Sequence, residues 1–192
     1  IAKTGYTGEP IGYELYCNSE DARCFWDRLI ELGAKPTALG ARDTTRMEAS
    51  LPLYGHEMGE CEMGGEIQIY AVPLAKFAVS FAPEKGNFIG REPLKKQFEA
   101  MKKIMNRDYS SIEDLPYRIQ PIYLEGKGVL RKGFPIYCKD AWAEGKQIGY
   151  VTSGTMIPYY KTEGQGLESV FTDETGKRSI GLAYMDSRIC QD

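Results

Sequence analysis

An α+β fold is what this sequence predicts, and three observations carry the prediction. Ala22, Phe25, Trp26, Leu29 and Ile30 recur at helical spacing, which gives one face of a helix an apolar stripe. Residues 12–18 alternate instead, with Tyr13, Leu15 and Cys17 on one side and Glu14 and Tyr16 on the other, the period of a strand. Beyond about residue 116 the chain becomes short β-type runs broken by Gly-Lys-Gly, Lys-Gly, Glu-Gly and Thr-Gly-Lys. Such punctuation predicts a small barrel or sandwich.

The elements follow in order. Ser19 is a good N-cap for the first helix, with Glu20 and Asp21 where the helix dipole favours carboxylates. Gly33 fits the position just past its C-terminus. Pro36 marks a linker to a second helix over 39–50, and Pro52 stops it because a proline clashes with the preceding turn. Residues 66–81 are rich in Ile, Val, Tyr and Phe and read as β. The segment NFIGREPL at 87–94 introduces a third helix to about 106, with Leu94, Phe98, Met101 and Met105 inward. Its outer face is basic (Lys95, Lys96, Lys102, Lys103 and Arg107 against Glu92 and Glu99), and such a run is usually a solvated face. Residues 108–116 read as a linker, and strands are expected at 118–125, 134–138, 146–152, 167–172 and 179–185. The expected domains are therefore 1–107 and 117–192.

Composition narrows the function. A chain of 192 residues with 42% hydrophobic and 27% charged residues is ordinary for a soluble globular protein with one or two domains. A net charge of −3 argues against nucleic acid as partner. No apolar run approaches the ~18 residues that span a bilayer, and no leader pattern is read at Ile1. Cys17, Cys24, Cys61, Cys138 and Cys190 form no C-x-x-C pair and are odd in number, which points to neither zinc nor a disulfide framework. Cys17 and Cys24, in apolar contexts, are expected to pack as small hydrophobes. A reducing compartment follows, the cytoplasm of a bacterium.

Chemistry concentrates in GARDTTRMEASLPLYGHEM at 40–58, where Arg42, Asp43, Arg46 and Glu48 fall within seven positions. Breaking a buried ion pair costs roughly 3–5 kcal/mol, so this cluster is either solvated or used. Arg42 and Asp43 read as functional residues or as part of a buried structural ion pair with Arg46 or Glu48. Glu14 is a strand carboxylate with a defined direction, or a solvated one. Tyr6, before the turn Gly8-Glu9-Pro10, could pack on a flat heterocycle or sit at a core rim. His56 is the single histidine, and with nothing nearby to orient its ring it reads as structural. Trp26 reads as core. Ser153 lies in no Gly-x-Ser-x-Gly elbow, and no G-x-G-x-x-G follows a strand.

Together with GYTGEPIGYE at 5–14, the 40–58 segment resembles the glycine cleavage T-protein family of folate-dependent aminomethyltransferases, whose segments read (R/K)xGYTGExGYE and GxARDxxRxExxxxLYGxE. VTSGTMIP at 151–158 and GLAYMDSRI at 181–189 are similar to the family's barrel motifs S-G-x-x-S-P and G-x-A-x-V-D. Two departures stand out: one extra residue between Glu9 and Glu14, and an extra loop at 159–177. Family members are much longer, so this chain is expected to be a fragment covering their later half.

The resemblance implies that 1–107 is the rear part of a folate-binding α+β domain and 117–192 a small antiparallel β-barrel. It implies transfer of an aminomethyl group from the lipoylated H protein to tetrahydrofolate, releasing ammonia. Tyr6, Glu14 and Arg42 would bind the folate and Asp43 would be catalytic. A carboxylate can accept the amine and ring N–H of a pterin in two parallel hydrogen bonds, as it accepts arginine. The family also places an essential aspartate before the position of Ile1. Related folate-dependent demethylases, and the folate domains of enzymes that oxidise sarcosine and dimethylglycine, share the architecture. A folate-binding iron–sulfur assembly factor would carry K-G-C-[YF]-x-G-Q-E, which this sequence lacks. A degenerate homologue acting only as a binding module is disfavoured by Glu14, Arg42 and Asp43.

Overall fold

The computed structural model describes residues 1–140 and 143–189, and Cys190 lies outside them. Two units are present, Ile1–Leu51 and Pro52–Asp192. In the first, helix α1 spans Ala22–Glu31 and α2 spans Leu39–Glu48. The expected Ser19 cap is not made. The N-cap is Asp21, without a side-chain bond. Gly33 does take the left-handed conformation expected after α1, with φ 93°. Helix α2 ends two residues earlier than predicted, because Ser50 turns left-handed at φ 56°. The amides of Ser50 and Leu51 fold back onto the carbonyls of Met47 and Arg46, and Pro52 merely follows.

The strand expected at 12–18 is absent. Glu14 makes a single antiparallel bridge to Ala2, and nothing else within residues 1–51 pairs with that stretch, so the ladder a strand requires does not form. Cys17 and Cys24 are exposed rather than packed. Trp26, predicted as core, is 53% exposed, as are the neighbouring Phe25, Leu29 and Ile30 of the same face of α1 in large part. Periodicity marks a face fit for burial without saying what will cover it.

The second unit has a main core and a smaller cluster at Cys138, Ala143 and Ile148. Ile67, Tyr70, Ala71, Val72, Ala100, Met101, Ile104, Leu115, Tyr150, Leu182 and Tyr184 meet in the main core. Residues 66–81 are not a strand. They form a 3-10 turn at Ile69–Ala71 and a short helix α3 at Ala75–Ala78, because Pro73 lacks the amide a ladder needs. Helix α4, Arg91–Met105, starts at Gly90, which is left-handed at φ 87°. It buries Ala100, Met101 and Ile104, whereas Met105, predicted inward, is largely exposed. The 108–116 segment is more than a linker, since Leu115 is fully buried in the core.

Among the described residues four antiparallel strands complete the fold: β1 Tyr117–Leu124, β2 Pro135–Tyr137, β3 Gln147–Glu163 and β4 Val170–Asp186, in the order β1-β4-β3-β2. The fold is thus α+β, as predicted, with the sheet forming a half-barrel. Gly154 and Gly181 pair across β3 and β4. A Cβ at either would come within 2.4 Å of the Leu130 carbonyl or 2.3 Å of the Ser153 carbonyl, so side chains are excluded there. The loop at 159–177 is not a loop. It is the outer half of the β3–β4 hairpin, paired as far as Glu163 and Val170.

Candidate functional site

Helix α2 places Arg42, Asp43 and Arg46 within little more than one turn. Arg46 is fully buried, and its Nε and Nη2 both donate to Asp43 Oδ1, at 2.8 and 2.6 Å. Its Nη1 donates to the Leu51 carbonyl at 3.0 Å. One guanidinium therefore fixes both the helix end and the carboxylate. The side chain of Asp43 remains 40% exposed, and Oδ2 accepts no hydrogen bond from the described residues. The result is a carboxylate held by one oxygen and open at the other.

Arg42 lies on the exposed side of the same helix, its guanidinium over the Tyr6 ring at 5.6 Å from the centroid. Among the described residues it has no carboxylate partner, so its charge is available to an anion. The turn that carries Tyr6 sits directly on the end of α2. Gly8 has φ 87°, and a Cβ there would lie 2.4 Å from that of Ala49. Only glycine allows that approach.

Glu14 is exposed and held by its backbone, which exchanges two 2.9 Å hydrogen bonds with Ala2. Its Oε2 accepts from the Tyr16 hydroxyl at 2.9 Å, and that bond raises the Tyr16 phenol above its ordinary pKa. Tyr16 thus stays a donor, and Oε1 takes no bond from the described residues. Tyr6 and Arg42 are in contact, Asp43 is tied to Arg46, and Glu14 stands on the separate 2–14 bridge.

In the second unit, a cluster appears that sequence reading missed. Glu57 is fully buried, with Oε1 accepting from Thr152 Oγ1 and Ser153 Oγ, both at 2.6 Å, and Oε2 from the Leu53 amide at 2.9 Å. His56 Nδ1 lies 3.2 Å from the Thr152 carbonyl and 3.2 Å from Ser153 Oγ. The ring is therefore oriented, contrary to the sequence expectation, by partners about a hundred residues away that no local pattern discloses. On α4, Lys102 pairs with Glu99 at 3.0 Å and Lys103 donates to Ser111 at 2.7 Å, so part of the basic face is satisfied locally. Among the described residues no group of His, Cys, Asp and Glu is placed to hold a metal, and no helix is long and apolar enough to cross a membrane.

Residues 1–72 match the GCVT N-terminal domain. The chain is 36% identical over 195 positions to an aminomethyltransferase of Caldanaerobacter subterraneus subsp. tengcongensis, covering 100% of this chain and 41% of that protein. It is 39% identical over 191 positions to an aminomethyltransferase of Halalkalibacterium halodurans, covering 97% and 40%. The crystal structure of glycine cleavage system aminomethyltransferase T from Bartonella henselae superposes with a TM-score of 0.59 at 22% identity, over 96% of this chain and 40% of that one. That last likeness establishes the fold. Over its whole length the chain is thus similar to aminomethyltransferases, its residues 1–72 match the GCVT N-terminal domain, and it spans about two fifths of the length of these relatives.

Proposed function

We propose that this chain is part of an aminomethyltransferase of the glycine cleavage system, which moves the aminomethyl group carried by the lipoylated H protein onto tetrahydrofolate with release of ammonia. The observation that carries the reading is Asp43, clamped through Oδ1 by buried Arg46 and open at Oδ2. A fixed carboxylate with a free oxygen meets developing positive charge at the reacting nitrogen without reorganising. Tetrahydrofolate suits the remaining groups. The Glu14 carboxylate, its Oε1 open and its Oε2 shared with the Tyr16 hydroxyl, suits the donor edge of a pterin, the Tyr6 ring offers a face for a flat heterocycle, and Arg42, with no carboxylate partner among the described residues, offers a cation. Residues 1–107 then form the C-terminal part of the folate-binding domain and 117–192 the C-terminal barrel. The cytoplasm of a bacterium is the compartment this reading gives.

The test is ammonia release from aminomethyl-loaded H protein. The full-length protein is expected to release ammonia in a tetrahydrofolate-dependent manner, and Asp43→Asn to lower the rate by about 10²–10³, the scale for losing one preorganised electrostatic group. Because the matched relatives are far longer, the 192-residue chain by itself is expected to give no ammonia above background. Turnover by the isolated chain, or an Asp43→Asn variant as active as wild type, contradicts the assignment.

A further inference from the structure

Glu14 is anchored at two points. Its amide and carbonyl exchange two 2.9 Å hydrogen bonds with those of Ala2, which fixes where the side chain starts. That bridge leaves the side-chain torsions free, and holding an exposed glutamate in one rotamer costs entropy. The second anchor is the Tyr16 hydroxyl, which donates to Oε2 at 2.9 Å. In an extended stretch, residues two apart stand on the same side, so local backbone geometry is enough to bring the two groups together.

The fold asks little else of Tyr16. Its ring is 75% exposed and so adds nothing to a core. Among the described residues its hydroxyl bonds to Glu14 alone. That bond, and then the charge of the carboxylate, holds the phenol above its ordinary pKa. The group facing Glu14 near neutral pH is therefore a neutral donor and not a second anion. Tyrosine, with a rigid ring and only two side-chain torsions, is ordered at a small entropic cost.

We infer that Tyr16 is a positioning residue of the folate site, its hydroxyl holding the Glu14 carboxylate at the angle that receives the donor edge of a pterin. The inference rests on the reading of Glu14 as the acceptor of that edge. The count of acceptors permits it. An ionised carboxylate offers about four lone-pair sites. Tyr16 takes one on Oε2, and the amine and ring N–H of a pterin need one on each oxygen. Without the hydroxyl, the carboxylate must be ordered as the ligand arrives, and ordering one flexible side chain weakens binding roughly twofold to tenfold. The reacting nitrogen of the pterin lies in its other ring, so the contact is the same before and during the reaction. Its loss therefore acts on KM and not on kcat.

The test compares the full-length wild type with Tyr16→Phe, Glu14→Ala and the double variant. Each is titrated calorimetrically with tetrahydrofolate and assayed for ammonia release from aminomethyl-loaded H protein. Tyr16→Phe keeps the ring and loses only the hydroxyl, so its melting midpoint should not move. It should bind tetrahydrofolate roughly twofold to tenfold more weakly than wild type, with KM raised and kcat held. In the Glu14→Ala background the same substitution should weaken binding no further, because the hydroxyl then has nothing to hold. Wild-type affinity in Tyr16→Phe beside a weakened Glu14→Ala overturns the role of Tyr16 and leaves that of Glu14 standing. An equal loss from Tyr16→Phe in both backgrounds also overturns it, since the hydroxyl then acts independently of the carboxylate, and so does a fall in kcat at unchanged KM. Glu14→Ala binding as tightly as wild type removes the reading of Glu14 itself, and the inference with it.

Discussion

Buried arginine is tolerated only when its five donors find acceptors, and Arg46 shows how residues 40–51 satisfy one. Two of its nitrogens meet Asp43 and a third meets the Leu51 carbonyl. The same contacts that stop α2 therefore aim the carboxylate. Arg46→Leu should cost about 3 kcal/mol, the low end of the range for breaking a buried pair, because half-exposed Asp43 can recover some solvation. Thermal unfolding of the full-length protein measures this, and an unchanged midpoint would show that the pair is merely a surface contact. Tyrosines give a second test. Burial, more than the neighbouring Cys61, pushes the Tyr184 hydroxyl up to about 12, and burial likewise raises Tyr150, whose ring lies 6.0 Å away. A raised pKa favours the folded state fully below the ordinary tyrosine value of about 10. That contribution disappears as pH rises through about 12. Stability should accordingly be flat across neutral pH and fall between those limits, together with tyrosinate absorbance of the two core rings. Tyrosinate formation for all tyrosines near the ordinary value, with the protein still folded, contradicts this.

Among the elements, the hairpin of β3 and β4 departs furthest from its sequence reading. Residues 159–177 are paired strand for most of their length, yet the tip beyond Lys161 and Glu174 leaves Phe171 80% exposed and adds nothing to the core. Replacing residues 162–173 with Asn-Gly should shift the melting midpoint by no more than about 2 °C, since exposed segments without core contacts contribute little. A loss of several degrees would mean that the tip packs on something. What the sequence discloses follows from the range of the signals. The helices at 22–31, 39–48 and 91–105 come from local periodicity and proline or glycine stops, and were legible to within a few residues. The apolar runs at 12–18 and 66–81 were not, because a strand is made by its neighbour. Glu14 has only Ala2 opposite it, while Tyr70 and Ala71 are buried as a turn in the core. The motif at 40–58 singled out Arg42 and Asp43 as candidates. It left open whether Arg46 pairs with Asp43, and gave no sign that Glu57 meets Thr152 and Ser153, partners set by long-range topology.

At the scale of the whole molecule, two units share the labour differently. Pro52–Asp192 contains the hydrophobic core and the half-barrel, whereas Ile1–Leu51 buries little beyond Arg46 and Met47 and carries Tyr6, Glu14, Arg42 and Asp43. Apolar side chains of α1 are exposed, and Glu14 Oε1 and Asp43 Oδ2 take no hydrogen bond from the described residues. Recognition of the pterin of tetrahydrofolate through Glu14, as proposed above, is open to direct measurement. A charge-assisted pair of hydrogen bonds contributes ~2–3 kcal/mol. Calorimetric titration of the full-length protein with tetrahydrofolate should therefore give a dissociation constant roughly thirtyfold to a hundredfold weaker for Glu14→Ala than for wild type. Equal affinities in a normally folded Glu14→Ala variant would contradict it.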